Sequence, residues 1–112
     1  MNKKCILIVC ESGISASLFV SKFIQLHKDQ GEDNYIDYAS ISRVERRLQE
    51  NQYDVLLLAP QVKKYGEAIG KSIKEAAQTS KIVYIKPEDY NTMNISKINL
   101  QVSEVLKDNR KR

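Results

Sequence analysis

Two unbroken apolar runs stand out in the pattern of hydrophobic and polar positions along the chain. They cover residues 5–9 and 55–59, and neither alternates with polar residues as a half-exposed strand does. Short continuous runs of this kind are typical of strands buried on both faces of a parallel sheet. Weaker runs at 35–39 and 82–85 predict two more strands. Asp37 interrupts the first of these, which therefore fits a sheet edge.

Helical spacing, with apolar residues three and four positions apart, follows each predicted strand. The pattern predicts helices over about 16–30 and 64–79, a short helix after residue 40, and a last helix over about 96–108. Four alternating strand and helix units predict an α/β domain, in which a single four-stranded parallel sheet carries helices on both faces. The segment between the fourth strand and the last helix is predicted to be a loop.

A few individual residues have predicted roles in this pattern. The only histidine, His27, is expected on the surface of the first helix, and Gly31 is expected to end that helix. Ser40 or Ser42 is expected to cap the short helix with its side-chain hydroxyl. Cys5, inside the first apolar run, is expected to be a small core residue.

Length and composition describe an ordinary globular domain. The chain has 112 residues, of which 42% are hydrophobic and 29% charged, so one domain with its own core is expected. No apolar run approaches the roughly 18 residues that indicate a membrane-spanning helix, and the polar residues after Cys10 argue against a signal peptide. Cys5 and Cys10 lie on one strand and cannot easily form a disulfide, which favours a reducing, cytoplasmic location.

The net charge of +4 is concentrated at the carboxyl terminus. Residues 107–112 contain four basic side chains and Asp108, so this segment holds +3 and residues 1–106 hold about +1. We expect a solvated, disordered tail beyond a folded domain of residues 1–106. No aromatic interleaving or zinc-ligand spacing accompanies the basic residues, so we expect no nucleic-acid binding, no metal site and no cofactor.

The stretch most suggestive of chemistry begins where the first strand ends. Cys10 follows the strand directly, and a predicted helix begins a few residues later. Backbone N–H groups of the loop and of the first helical turn can converge on an anion beside the sulfur. We therefore predict that the Cys10 thiolate carries a phosphoryl group and that the helix N-terminus lowers the pKa of its thiol. The predicted phosphate-binding residues are Glu11, Ser12, Gly13, Ile14, Ser15, Ala16 and Ser17.

A simpler interpretation of the same residues stays open, in which Cys10 ends a buried strand and Ser15 or Ser17 is an ordinary helix cap. The loop also lacks one residue that cysteine-based phosphatases use. They place an arginine six residues after the nucleophile to bind the phosphoryl oxygens, and Ala16 stands there in this chain. A phosphatase must hydrolyse its phosphocysteine whereas a carrier must keep it, so the missing arginine favours a carrier.

Other polar residues are expected near the same edge of the sheet. Pro60 ends the third strand there, which places Gln61 either for a polar contact with the site or in a simple turn. Residues 89–90 follow the fourth strand and reach the same edge if all strands are parallel. The adjacent Arg46 and Arg47 either contact a phosphoryl donor protein or form a solvated helix face.

These residues carry a family resemblance. The cysteine loop resembles that of enzyme IIB components of the sugar phosphotransferase system, lactose/cellobiose family. That family's pattern (Cys, two small residues, Gly, an apolar residue, Ser, Thr, Ser) is matched at Cys10, Gly13, Ile14, Ser15 and Ser17. Residues 56–61 are similar to the strand and Pro-Gln turn of the family's third βα unit. Glu11 and Ala16 depart from the pattern, and the Glu11 carboxylate would repel a phosphoryl group unless it points to solvent.

The resemblance implies strand order 2-1-3-4 and a fold similar to low-molecular-weight tyrosine phosphatases. It implies a carrier that accepts a phosphoryl group from the phosphohistidine of a IIA protein. The carrier then passes this group to a sugar (cellobiose, chitobiose or a related β-glucoside) bound by a membrane IIC permease. Two alternatives remain: a cysteine-dependent phosphatase or arsenate reductase of similar fold, and a non-catalytic module.

Overall fold

Four parallel strands form the centre of the molecule. The computed structural model describes residues 3–11 and 14–110, with the side chains of residues 3–11 and 16–107. Within this part of the chain, one sheet joins the strands in the order β2-β1-β3-β4, and every pair is parallel. The strands are β1 (Cys5–Val9), β2 (Tyr35–Ala39), β3 (Val55–Leu58) and β4 (Lys81–Tyr84). The predicted sheet and strand order are confirmed.

The burial of each strand follows from its place in this order. Every residue of β3 is buried, and in β1 only Cys5 is partly exposed. The unbroken apolar runs are therefore those of the two central strands. β2 and β4 lie at the edges and expose part of their residues, and β2 carries the half-buried Asp37.

Five α-helices connect or follow the strands in the described residues. They are α1 (Ile14–Asp29), α2 (Val44–Glu50), α3 (Gly66–Glu75), α4 (Pro87–Asn91) and α5 (Ile95–Arg110). Two 3-10 segments, Ile41–Arg43 and Pro60–Tyr65, precede α2 and α3. None of the helices in the described ranges combines the length and apolar character needed to cross a membrane.

The helices cover both faces of the sheet, as predicted. Successive side chains of a strand point to opposite faces. Accordingly, Ile6 and Ile8 of β1 join a core to which α1, α4 and α5 contribute. Leu7 and Val9 join a second core with α2 and α3. The four residues show why β1 needs an apolar side chain at every position.

The segments after β3 and β4 differ most from the prediction. α4 lies where a loop was predicted: Pro87 occupies its first turn, where the fixed φ of proline suits a helix, and five residues are too few to show helical periodicity. α3 is shorter than residues 64–79. Its amino-terminal side is the 3-10 segment Pro60–Tyr65, and Ala77 adopts a left-handed φ of 56° just beyond its end.

Of the two predicted helix-end signals, the glycine that ends α1 is confirmed and the serine cap of α2 is not. Gly31 ends α1 as predicted: its φ is 71°, and the Glu32 N–H donates to the His27 carbonyl at 2.9 Å. The predicted serine cap is wrong. The Ser40 hydroxyl caps no backbone N–H and lies 3.3 Å from the Ser42 hydroxyl. The 3-10 segment intervenes, so the residue at the N-cap of α2 is Arg43, which makes no side-chain capping bond.

His27 is buried, with 3% of its surface exposed, so its predicted surface position is wrong. Its Nε2–H donates to Oδ1 of Asn99 on α5 at 2.8 Å, and Nδ1 lies 3.3 Å from the Asn34 amide. The ring also packs against Phe23, with 4.7 Å between centroids. Since Asn99 lies 72 residues away along the chain, local spacing could not reveal the partner that makes this burial tolerable.

α5 extends to Arg110, so the helix includes part of the segment 107–112 that was predicted to be disordered. Neither glycine nor proline occurs in residues 95–110, and basic residues near the carboxyl end of a helix interact favourably with its dipole. Lys111 and Arg112 lie outside the described residues.

The two glycines of α3 provide a stability test of the packing between α3 and β4. A Cβ built at Gly66 would overlap the Tyr84 hydroxyl, whereas at Gly70 nothing lies within 4 Å. We expect Gly70→Ala to stabilise the protein by about 0.5–1 kcal/mol through helix propensity. Gly66→Ala should stabilise the protein less than Gly70→Ala does, because Tyr84 must move. Chemical denaturation of both variants measures the difference.

Tyr84→Phe removes the atom nearest to the added methyl group, so in its presence Gly66→Ala should approach the stabilisation given by Gly70→Ala. Equal stabilisation by both alanines would contradict the packing described for Gly66.

Candidate active site

The carboxyl ends of three neighbouring strands lie at one edge of the sheet. Hydrogen bonding continues beyond β1 and β2, where the Cys10 N–H donates to the Ala39 carbonyl at 3.2 Å. On the other side of β1, the Ala59 N–H donates to the Val9 carbonyl at 2.9 Å. Cys10 is thus the first residue beyond β1, at the edge where open α/β sheets bind ligands.

Cys10 is more enclosed than its position at a strand end suggested. Its exposed fraction is 2%, and it belongs to the core that contains Ala16 and Phe19 of α1 and Tyr90 of α4. This burial raises the pKa of the Cys10 thiol. The prediction of a lowered thiol pKa is therefore wrong for the molecule by itself, because apolar packing disfavours the thiolate.

The predicted phosphate-binding residues divide into loop and helix. Ser12 and Gly13 lie outside the described residues, and Glu11 is exposed, so its carboxylate points to solvent. The backbone of residues 14–17 forms the first turn of α1, which begins earlier than predicted. Ala16 is buried and Ser17 exposed, whereas the side chains of Ile14 and Ser15 lie outside the described part of the chain. The first N–H groups of a helix have no acceptor within it, so this end of α1 presents donors near the cysteine.

A cavity of about 470 Å³ opens at the carboxyl ends of β1 and β2. Its lining combines the cysteine with one carboxylate, one tyrosine, one hydroxyl and two guanidinium groups. The lining residues are Cys10, Asp37, Tyr38, Ala39, Ser40, Arg43 and Arg47. The cavity joins the strand end that carries Cys10 to the amino-terminal part of α2.

A half-buried ion pair forms one wall of this cavity. Nη1 of Arg47 donates to Oδ2 of Asp37 at 2.7 Å, and the Tyr53 hydroxyl donates to the same oxygen at 3.0 Å. Burial, and then the hydrogen bond to Asp37, raises the pKa of Tyr53, which keeps its proton at neutral pH. Tyr53 thus remains a donor to Asp37, and the carboxylate holds Arg47 at the cavity.

The segment after β2 contributes two arginines to this cavity that were not predicted together. An arginine was sought within the cysteine loop, and only Arg46 and Arg47 were considered in the segment after β2. The structure separates those two: Arg46 is exposed and pairs with Glu50 at 3.1 Å, whereas Arg47 and Arg43 line the cavity. The four-residue spacing of Arg43 and Arg47, just after the carboxyl end of β2, is the signal that could have identified them.

None of the other residues predicted at this edge lines the cavity. Tyr90 lies near Cys10, and its pKa is raised by burial and then by the charge that Cys10 would carry as a thiolate. Asp89 is buried beside Lys97, at 4.0 Å. Pro60 begins a 3-10 segment and Gln61 is exposed; neither is among the residues that line the cavity.

Within the described residues, no group of three or more histidine, cysteine or acidic side chains is arranged to hold a metal ion. The cavity instead offers a thiol and two guanidinium groups, of which that of Arg47 is paired with Asp37. This combination suits a dianionic group such as a phosphoryl group, because one guanidinium group can bind two of its oxygens through two parallel N–H donors.

Comparison with known proteins defines the class of protein to which this fold and site belong. The family described as "PTS system, Lactose/Cellobiose specific IIB subunit" matches residues 5–100. The chain belongs to this family of IIB components of the sugar phosphotransferase system.

Two relatives from Lactococcus lactis are similar over most of the chain. The cellobiose-specific EIIB component of subspecies lactis (strain IL1403) is 33% identical over 101 residues, which cover 88% of this chain and 92% of the relative. The galactose-specific EIIB component of subspecies cremoris (strain MG1363) is 32% identical over 101 residues, with the same coverage of 88% and 92%.

Two solved structures share the fold. The cellobiose-specific IIB component of Borrelia burgdorferi has a TM-score of 0.73 and 25% identity, over 96% of this chain and 94% of the other. The lactose-specific IIB domain of Streptococcus pneumoniae has a TM-score of 0.71 over 95% of this chain and 97% of the other, at 14% identity, so that likeness concerns the fold alone.

The raised pKa of Cys10 predicts its reactivity. Only the thiolate is alkylated readily, and burial disfavours it, so the rate of carboxamidomethylation at Cys10 should reach half its maximum above the ordinary thiol pKa of about 8.5. Rates between pH 7 and 10.5, followed by mass spectrometry of the Cys10 peptide, measure this midpoint. The chain unfolded in urea supplies the ordinary midpoint as control. A midpoint below 7.5 in the folded protein would contradict the description of Cys10 as a buried thiol.

Proposed function

We propose that this chain is a phosphocysteine carrier of a sugar phosphotransferase system, with Cys10 as the phosphorylated residue. The observation that carries the proposal is the position of Cys10 in a chain of the IIB family. It lies at the carboxyl end of β1, beside the amino-terminal end of α1 and on the wall of a cavity that holds two arginines. The phosphoryl donor would be a phosphohistidine on a IIA protein.

The first transfer is a displacement at phosphorus. The Cys10 sulfur forms a bond to phosphorus while the bond from phosphorus to the donor imidazole nitrogen breaks. The thiol proton passes to that nitrogen, which becomes basic as it leaves. This route is compatible with a raised thiol pKa, because the thiolate need not exist before the donor arrives. Donor N–H groups at the start of α1 would stabilise the equatorial oxygens of the transition state.

The second transfer reverses these roles. A sugar hydroxyl oxygen forms the new bond to phosphorus, the S–P bond breaks, and the hydroxyl proton passes to the departing sulfur. A buried thiol with a raised pKa is a good final acceptor for that proton. The products are a sugar phosphate and the original Cys10 thiol, so the carrier is ready for another cycle.

The proposed acceptor is a sugar held by a membrane IIC permease, so the chain would act in the cytoplasm and associate with that permease. We propose cellobiose, chitobiose or a related β-glucoside as the sugar. The cellobiose-specific name of one relative supports this class. The IIC protein, rather than this chain, would select the individual sugar.

Intact-mass spectrometry tests the carrier directly. Incubation with phosphoenolpyruvate, the general phosphotransferase proteins and a matching IIA should add about 80 Da, the mass of one phosphoryl group. Cys10→Ser should abolish a thiol-linked adduct, whereas Cys5→Ser, at the opposite end of β1, should retain it. Addition of the sugar and IIC in membrane vesicles should then remove the adduct and yield sugar phosphate.

Absence of the adduct from the wild-type chain, or its retention in Cys10→Ser, would overturn the proposal. A phosphatase or arsenate reductase would instead turn over p-nitrophenyl phosphate or arsenate without any sugar, and a non-catalytic module would do neither.

A further inference from the structure

The cavity beside Cys10 carries an excess of positive charge. Its lining contains the guanidinium groups of Arg43 and Arg47 and a single carboxylate, that of Asp37, which leaves one positive charge in excess. Glu11, the other acidic residue near the cysteine, is exposed and does not line the cavity. The electrostatic character of the cavity therefore favours an anion at the strand end that bears the cysteine.

Arg47 is held in place yet retains free donors. Asp37 binds it through one nitrogen, Nη1, and is itself fixed by the Tyr53 hydroxyl. A guanidinium group has five N–H donors, and Asp37 is the one side-chain acceptor that the described residues provide for Arg47. The remaining donors are available to an anion in the cavity that Arg47 lines.

Arg43 ends the 3-10 segment Ile41–Arg43, four residues before Arg47, and lines the same cavity. It is exposed, and no carboxylate in the described part of the chain forms an ion pair with it. Both side chains border this cavity, Arg43 from the 3-10 segment and Arg47 from α2. Their guanidinium groups can thus approach one anion from neighbouring positions.

We propose that Arg43 and Arg47 bind the oxygens of the phosphoryl group on Cys10 and stabilise it during transfer. This inference rests on the proposed function and assigns to Arg43 and Arg47 the role that phosphatases give to an arginine in the cysteine loop, where this chain has Ala16. An arginine from another part of the fold contributes the same bidentate donors. Its position outside the loop leaves α1 free to pack Ala16 into the core.

Charge-removing variants of Arg43 and Arg47 test this assignment. Arg43→Gln and Arg47→Gln should each slow phosphoryl transfer from the phosphorylated IIA to Cys10 by about tenfold to a hundredfold. Arg46→Gln is the matched control, because it removes the same charge from the same stretch of chain but from an exposed side chain paired with Glu50. Its transfer rate should stay within about twofold of wild type.

Two further measurements separate binding of the phosphoryl group from other effects. A nearby guanidinium favours the dianion, so the second pKa of the phosphocysteine, followed by ³¹P NMR, should rise in Arg43→Gln and Arg47→Gln but not in Arg46→Gln. Arg47→Lys retains a cation for Asp37 and should restore stability, measured by urea denaturation. It should restore only part of the transfer rate, because lysine lacks the paired N–H donors of a planar guanidinium group.

The outcomes separate failure of the proposed arginine role from failure of the proposed carrier function. If wild type forms phosphocysteine and all three glutamine variants transfer equally fast, the role of Arg43 and Arg47 is overturned and the carrier function stands. An unchanged phosphocysteine pKa in slow variants would overturn it too, since the arginines would then only dock the donor protein. If wild type forms no phosphocysteine, both proposals fail together.

Discussion

The parallel pairing of β1 with β2 is the constraint on which the site depends. It aligns Val9 with Ala39, so that Cys10 and Ser40 emerge side by side at one edge of the sheet. The chain then turns from β2 through a 3-10 segment into α2, which brings Arg43 and Arg47 over the same cavity. A shift of one residue in this register would reverse the faces of β2 and remove Asp37 from Arg47.

Burial at this edge also shapes the chemistry of the cysteine. An isolated thiolate in an apolar environment is costly, and the packing of Cys10 against α1 and α4 raises its thiol pKa. A cysteine that stays protonated between encounters is protected from oxidation and alkylation, which act on the thiolate. The cost of forming a buried thiolate would be avoided if the departing imidazole of the phosphoryl donor accepts the thiol proton. This can happen only while the donor is bound. Selectivity would thus arise from the chemistry of the donor as well as from its fit.

The sequence was most informative where structure depends on local pattern. The apolar runs located all four strands, and Gly31 marked the end of α1, because both signals come from adjacent residues. The strand order came only from the family resemblance, since apolar runs do not encode which strands are neighbours. The partners of His27 and Arg47 were not visible, because Asn99 and Asp37 meet them through tertiary contacts. α4 was missed since five residues cannot display a helical period.

For the candidate site, the sequence identified the cysteine and the helix that follows it but not the opposite wall of the cavity. An arginine was sought at the position that phosphatases use within the loop, where Ala16 stands. The folded chain places guanidinium groups beside the cavity from another segment, Arg43 from the 3-10 segment and Arg47 from α2. The fold decides which side chains surround a nucleophile, and their distance from it along the sequence does not predict this.

The most direct measurement of the central claim is a map of backbone amide chemical shifts before and after phosphorylation of the chain. Our account predicts that the largest changes fall in two segments: residues 10–17, and residues 39–47 across the cavity. Changes confined to the opposite edge of the sheet, around His27 and Asn99, or an unchanged spectrum at residues 39–47, would contradict it.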